Sequence, residues 1–124
     1  MFWTLTQVAL GGAIGSVGRY LTGLAATRAF GASLPMGTLI VNIAGSFVTG
    51  LLFIALERGD GRHVPLLMTG ILGGFTTFSA FSLDSFRLWE RGDVVLAAFY
   101  VAGSVVVSIL ALAAGVMAMR AVMT

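Results

Sequence analysis

The chain has 124 residues, 58% of them hydrophobic and only 10% charged, with a mean hydropathy of +1.02. A water-soluble domain carries about 25% charged residues, so there is too little polar surface here to cover a particle in water, and lipid is the expected solvent. The absence of cysteine excludes disulfides, thiol catalysis and sulfur-ligated metal. The seven basic residues are all arginines, spread singly or in pairs near expected helix ends, which is no nucleic-acid patch.

A membrane-crossing helix needs roughly 20 mostly apolar residues, because about 30 Å of hydrocarbon is crossed at 1.5 Å per residue. Four such stretches nearly exhaust the sequence, so one membrane domain over residues 1–124 is expected, with no attached soluble module. The first helix is predicted over residues 2–26, with Trp3 as an interfacial anchor. No basic residue precedes it and no small-residue cleavage site follows, so it reads as a retained helix.

A connection holding Arg28 ends at Pro35, and the second helix is predicted over 36–56. The polar stretch 57–63 is a turn in which the single histidine, His63, is a loop residue. The third helix is predicted over 64–89, with Pro65 suited to its first turn. Its portion 70–82 is rich in glycine and hydroxyls and is expected to be interrupted. A turn over 90–93 leads to the fourth helix, 94–122. The β-branched run 105–107 has strand propensity, but spanning strands must close into a barrel of at least about eight. The fold class is therefore an all-α integral membrane protein with four transmembrane helices and a break in the third.

Lipid tails are as apolar as leucine, so close approach through small residues is what holds helices together in a bilayer. Gly11 and Gly15 form a GxxxG pair, and Gly12 with Ser16 repeats that spacing one position along. Short loops rich in Arg and Lys normally stay cytoplasmic. Here Arg58, Arg62 and Arg120 fall on one side, and Arg19, Arg28, Arg87 and Arg91 on the other. Three against four gives little orienting force, so insertion in both directions and an antiparallel dimer are expected.

Polar groups at membrane depth are costly and face either the bundle interior or a wet path. In the second helix Thr38, Asn42, Gly45, Ser46 and Thr49 continue one side; in the fourth, Tyr100, Ser104 and Ser108 recur at i, i+4, i+8. Such hydroxyls either bond back to their own helix carbonyls or line a hydrated route, and spacing alone leaves both open. In the third helix, the paired Gly73 and Gly74 either unwind the backbone or only let another helix cross. Freed carbonyls would be hard ligands suited to a small cation. Phe78 and Phe81 share a face, and an aromatic ring edge is electropositive. Ring edges and hydroxyl donors can solvate a small anion without the fixed positive charge that would trap it.

Three motifs occur in order: Gly11-Gly12-x-x-Gly15-x-x-x-Arg19, Gly37-Thr38-Leu39-x-Val41-Asn42, and Gly73-Gly74-x-Thr76-Thr77-Phe78-Ser79-x-Phe81-Ser82. Together they resemble the Fluc (CrcB) fluoride channels over essentially the whole chain. The resemblance implies small dual-topology proteins that form antiparallel homodimers with two pores in a cell inner or plasma membrane and export fluoride passively. It implies that Phe78 and Phe81 face the anion, that Asn42 is the pore asparagine, and that Ser79, Tyr100, Ser104 and Ser108 belong to a hydroxyl-lined track with Thr38 and Asp84. It further implies that Gly73 and Thr76 offer backbone carbonyls to a structural sodium ion, Na+, at the dimer centre, two from each subunit, and that Arg19 is a vestibule arginine. Two positions depart from the family pattern: Ala80 stands where threonine is frequent, and Asp84 where glutamate is common.

A small multidrug-resistance-type proton-coupled antiporter shares the size and helix number. It needs a membrane-embedded carboxylate, typically in the first helix, which here has neither Asp nor Glu. A scaffolding subunit would leave the polar stripes without purpose. No clustered His, Glu, Asp or Cys could serve an enzyme as base, nucleophile or metal site. The implied partners are therefore a second copy of the chain, fluoride and membrane lipid, and no nucleic acid.

Overall fold

The computed structural model describes residues 1–124, which form helices and no strand. Helices α1 (Phe2–Phe30) and α2 (Met36–Ala55) are followed by α3, a wide π-wound stretch, Pro65–Leu72, that runs into one α-helical turn, Gly73–Phe75. Helices α4 (Phe78–Glu90) and α5 (Val94–Val122) complete the chain.

α1 continues past the expected end at residue 26, so Arg28 lies in its last turn and not in a connection. Nothing in Thr27-Arg28-Ala29-Phe30 opposes helix, and a guanidinium is favourable beside the carbonyl end. The stop comes at Gly31, whose φ of 82° only glycine adopts without strain, and its N–H returns to the Thr27 carbonyl at 2.8 Å.

Three stretches, Met36–Ala55, Pro65–Glu90 and Val94–Val122, are long and apolar enough to cross a bilayer by length and composition. α1 was expected as a fourth. Its 29 residues reach about 43 Å at 1.5 Å per residue, but Gln7, Ser16, Arg19 and its five glycines dilute its apolar character. Only 15 of 124 residues are buried, while Leu10, Ile14, Val17 and Leu21 on α1 and Val106, Ile109 and Leu110 on α5 stand exposed. That apolar coat is suited to hydrocarbon and not to water. The chain is a multi-pass membrane protein.

The closest pairings are α2 with α5 and α1 with α3, and α4 leans on α5. Each close pairing runs through glycine. On α1, a Cβ at Gly11 would lie 2.8 Å from Gly70 Cα and one at Gly15 would run into the Ile71 carbonyl. The second row of small residues is used as well, because a Cβ at Gly74 would lie 2.7 Å from the Gly12 carbonyl and 3.2 Å from Ser16 N. Between α2 and α5, Gly50 rests on the Leu112 carbonyl and Gly115 on that of Phe47. With no hydrophobic drive between helices in lipid, such backbone-to-backbone contact supplies the attraction.

Candidate functional site

The paired glycines stay helical: Gly73 has φ −64° and ψ −35°. The extended residues are the two threonines that follow, Thr76 (φ −86°, ψ 157°) and Thr77 (φ −154°, ψ 121°). β-branching disposes threonine to extended backbone, and Thr77 caps α4, its Oγ1 accepting from Ala80 N at 3.1 Å. Asn42 on α2 brackets the same residue. Its Oδ1 accepts from Thr77 N at 2.8 Å and its Nδ2 donates to the Thr77 carbonyl at 3.0 Å.

These side-chain bonds have a consequence for two carbonyls. In an uninterrupted α-helix the Thr77 N–H would return to Gly73 O, and the Ala80 N–H to Thr76 O. Here the first goes to Asn42 and the second to Thr77 Oγ1. Gly73 and Thr76 thus both lose their helical donors.

Thr76 and Thr77 open onto a groove of about 430 Å³ lined also by Asn42, Phe78, Phe81, Ser104 and Ser108. Ser104 is 5% exposed, and neither its Oγ nor that of Ser108 has a hydrogen-bond partner within the chain. Other hydroxyls in the spans do bond back by four residues, Thr49 to Gly45 O at 2.8 Å and Ser85 to Phe81 O at 2.7 Å among them. Thr49 thus takes the first of the two readings, whereas the Ser104 and Ser108 hydroxyls, on residues of the groove wall, are buried with no partner inside the chain, which is costly unless something accepts them.

The Phe78 and Phe81 ring centroids are 5.4 Å apart and tilted by 56°, with Phe78 77% exposed and Phe81 8%. Phe81 in turn lies 5.5 Å from the Tyr100 ring. Tyr100 belongs to a second cluster, since its OH donates to Asp84 Oδ2 at 3.4 Å, and Thr38 Oγ1 donates to the same oxygen at 2.6 Å. Arg19 is tied by its Nε to the Gly74 carbonyl at 3.0 Å and lines a separate pocket of about 350 Å³ with Tyr20, Thr38 and Thr77.

The CrcB-like protein, Camphor Resistance (CrcB) family matches residues 6–116. The chain belongs to the CrcB family. Its relatives include proteins named fluoride-specific ion channel FluC. That of Cereibacter sphaeroides is 54% identical over 120 residues, 97% of each chain. That of Paracoccus denitrificans is 54% identical over 113 residues, 90% of each. That of Agrobacterium fabrum is 54% identical over 114 residues, 90% of this chain and 91% of its own.

In this CrcB chain, eight of the residues singled out in the sequence, Asn42, Ser46, Thr49, Thr76, Phe78, Phe81, Ser104 and Ser108, surround one groove. Thr38, Asp84 and Tyr100 form the adjoining cluster, joined to the groove through the Phe81 ring. Ser79 is exposed and does not line the groove, its Oγ lying 3.3 Å from Thr77 Oγ1. The shorter carboxylate of Asp84 still reaches Thr38, and Ala80 contributes its N–H to the cap and its side chain to the Arg19 pocket.

Two residues were missed. Thr77 is the one on which Asn42, the α4 cap and both pockets converge, and its signal is a threonine three residues ahead of Ala80 at a helix start. Gln7 is 4% exposed with an unpartnered Oε1. Its signal is position, since Gln7, Gly11 and Gly15 recur every four residues and all three are buried.

Proposed function

We propose that the chain is a passive, fluoride-selective channel of the cell membrane that lets the anion out and so limits its toxicity. Relatives named fluoride-specific ion channel, 54% identical over 90% or more of the chain, support the substrate. This is a transport protein and not an enzyme. The observation that carries the reading is the groove itself. Buried Ser104 and Ser108 hydroxyls without partners, a spare Asn42 N–H and two tilted phenylalanine rings converge there. These are hydroxyl and amide donors and two aromatic rings, with no cation among them. They can replace the water of a small anion and still release it.

The active unit in this reading is an antiparallel pair of identical copies inserted in both directions, which the near-even split of arginines between the two ends favours. The third span is broken at Thr76–Thr77, and the Gly73 and Thr76 carbonyls, relieved of their helical donors, suit a hard cation such as sodium. Two carbonyls from each copy would hold it at the centre. The ion would satisfy these carbonyls and tie the two copies together, and would take no part in moving fluoride. The antiporter alternative is weakened by α1, which carries no carboxylate, and by Asp84, which is bonded to Thr38 and Tyr100.

The test is made in bacteria that lack a fluoride exporter of their own. Producing this chain is expected to lower internal fluoride and restore growth on fluoride, with no gain in tolerance to quaternary ammonium cations. Unchanged fluoride sensitivity with the protein present in the membrane would contradict the channel reading, and acquired tolerance to the cations would favour the antiporter.

A further inference from the structure

From the groove, a chain of side-chain contacts reaches a second pocket. Phe81 borders the groove, Tyr100 lies 5.5 Å from it ring to ring, and the Tyr100 hydroxyl reaches Asp84. Asp84 then lines a different pocket, of about 290 Å³, whose wall is the 31–35 connection (Ala32, Ser33, Pro35) and whose rim carries Arg87 and Arg91. The pocket thus lies at one end of the bundle, where the chain turns from α1 into α2 and from α4 into α5.

A carboxylate at that point is an obstacle for an anion, because like charges repel across a few ångströms of partly dry protein. Thr38 and Tyr100 blunt its charge by donating to one oxygen, yet its net charge is unchanged. The two arginines differ in what they are free to do. Arg91 is committed: its Nε pairs with Asp93 at 2.6 Å and its Nη1 donates to the Ser33 carbonyl at 3.0 Å, so it pins the 31–35 connection to the end of α4. The Arg87 side chain makes no ion pair and no hydrogen bond, although it stands one helical turn from Asp84 on the rim of the same pocket.

We propose that this pocket is the second mouth of the anion route, with Arg87 as the charge that gathers halide there and offsets Asp84. The proposal rests on the channel reading and adds to it a residue for anion capture at the end away from the groove. An unpaired guanidinium at a narrow mouth raises the local anion concentration, by about tenfold or more at low ionic strength, and loses that influence as salt screens it. Arg91 holds the wall in place and contributes little to capture.

The test uses the full-length protein in vesicles of phosphatidylcholine alone and of phosphatidylcholine with phosphatidylglycerol, with fluoride efflux read by electrode at low and at high ionic strength. Arg87→Gln is expected to slow efflux about tenfold at low ionic strength and much less at high, with Arg87→Lys close to wild type. Arg91→Gln is expected to lower the unfolding temperature more than it alters efflux. Wild-type rates for Arg87→Gln at both salt levels would overturn the proposal. So would slowing to the same degree at both, which marks a structural role. An effect confined to vesicles of anionic lipid would overturn it as well, by assigning Arg87 to a headgroup. If the unaltered protein itself passes no fluoride in these vesicles, the channel reading fails first, so the two failures are distinguishable.

Discussion

Asn42→Asp is expected to slow fluoride efflux by two to three orders of magnitude while leaving the helices formed. The carboxylate can still accept from Thr77 N, but the donor now given to the Thr77 carbonyl is replaced by an oxygen facing an oxygen. A lost bond of this kind with its partner left buried costs about 1–3 kcal/mol. The larger effect is a negative charge in the wall of a groove that must admit an anion. Two like charges about 4 Å apart repel by roughly 4 kcal/mol at the effective dielectric constant of a protein surface, which is close to a thousandfold in rate. Efflux from proteoliposomes reads the effect, and a circular dichroism spectrum matching that of the unaltered protein shows that the helices persist. A folded Asn42→Asp protein with undiminished efflux would contradict a route past Asn42.

Gly50→Val is expected to prevent stable folding altogether. A Cβ there would strike the Leu112 carbonyl and lie 2.9 Å from Val116 N, both of them backbone of α5, and Gly115 meets Phe47 and Leu51 of α2 in the same way from the other side. No side-chain rotation relieves such a clash, so the two helices must separate. Overpacking typically costs about 1–3 kcal/mol and more where nothing can yield, against a total stability of order 5–15 kcal/mol. In lipid this contact is also the source of association. The expected result is loss of the monodisperse species in detergent. Gly103→Ala is the control, since a Cβ there meets nothing within 4 Å. It is expected to be neutral or to stabilise by up to about 1 kcal/mol through helix propensity. Wild-type yield and unfolding temperature for Gly50→Val would contradict the close α2–α5 crossing.

The helices could be read from hydropathy and turn residues because those signals are local. Pro65 stands at its expected helix start and α5 spans its expected residues. The outcome at Gly73-Gly74 differs for a reason no local rule contains. Glycine weakens a helix, which points to unwinding there, yet Gly74 is needed for its missing side chain where Gly12 and Ser16 come close. The extended residues fall at Thr76 and Thr77, held by an asparagine that is distant in sequence. The groove residues were legible as stripes of one spacing, 100, 104 and 108, but spacing cannot tell a hydroxyl bonded to its own carbonyl from one left unspent. Thr49 is bonded to its own helix, and Ser104 is not. The roles assigned to Phe78, Phe81 and Asn42 came from resemblance to a family, not from periodicity. Gln7 is not legible because one amide in an apolar helix reads as a surface residue, and only the packing of α1 on α3 shows that its face is buried.

The most direct test of a selective anion route through the groove is the initial efflux of fluoride and of chloride from liposomes holding the purified protein, at equal gradients and with potassium ionophore present to balance charge. Fast fluoride efflux, negligible chloride efflux, and loss of the fluoride flux on Phe81→Ile are the expected results. Equal fluxes of the two halides, or a fluoride flux indifferent to Phe81, would contradict it.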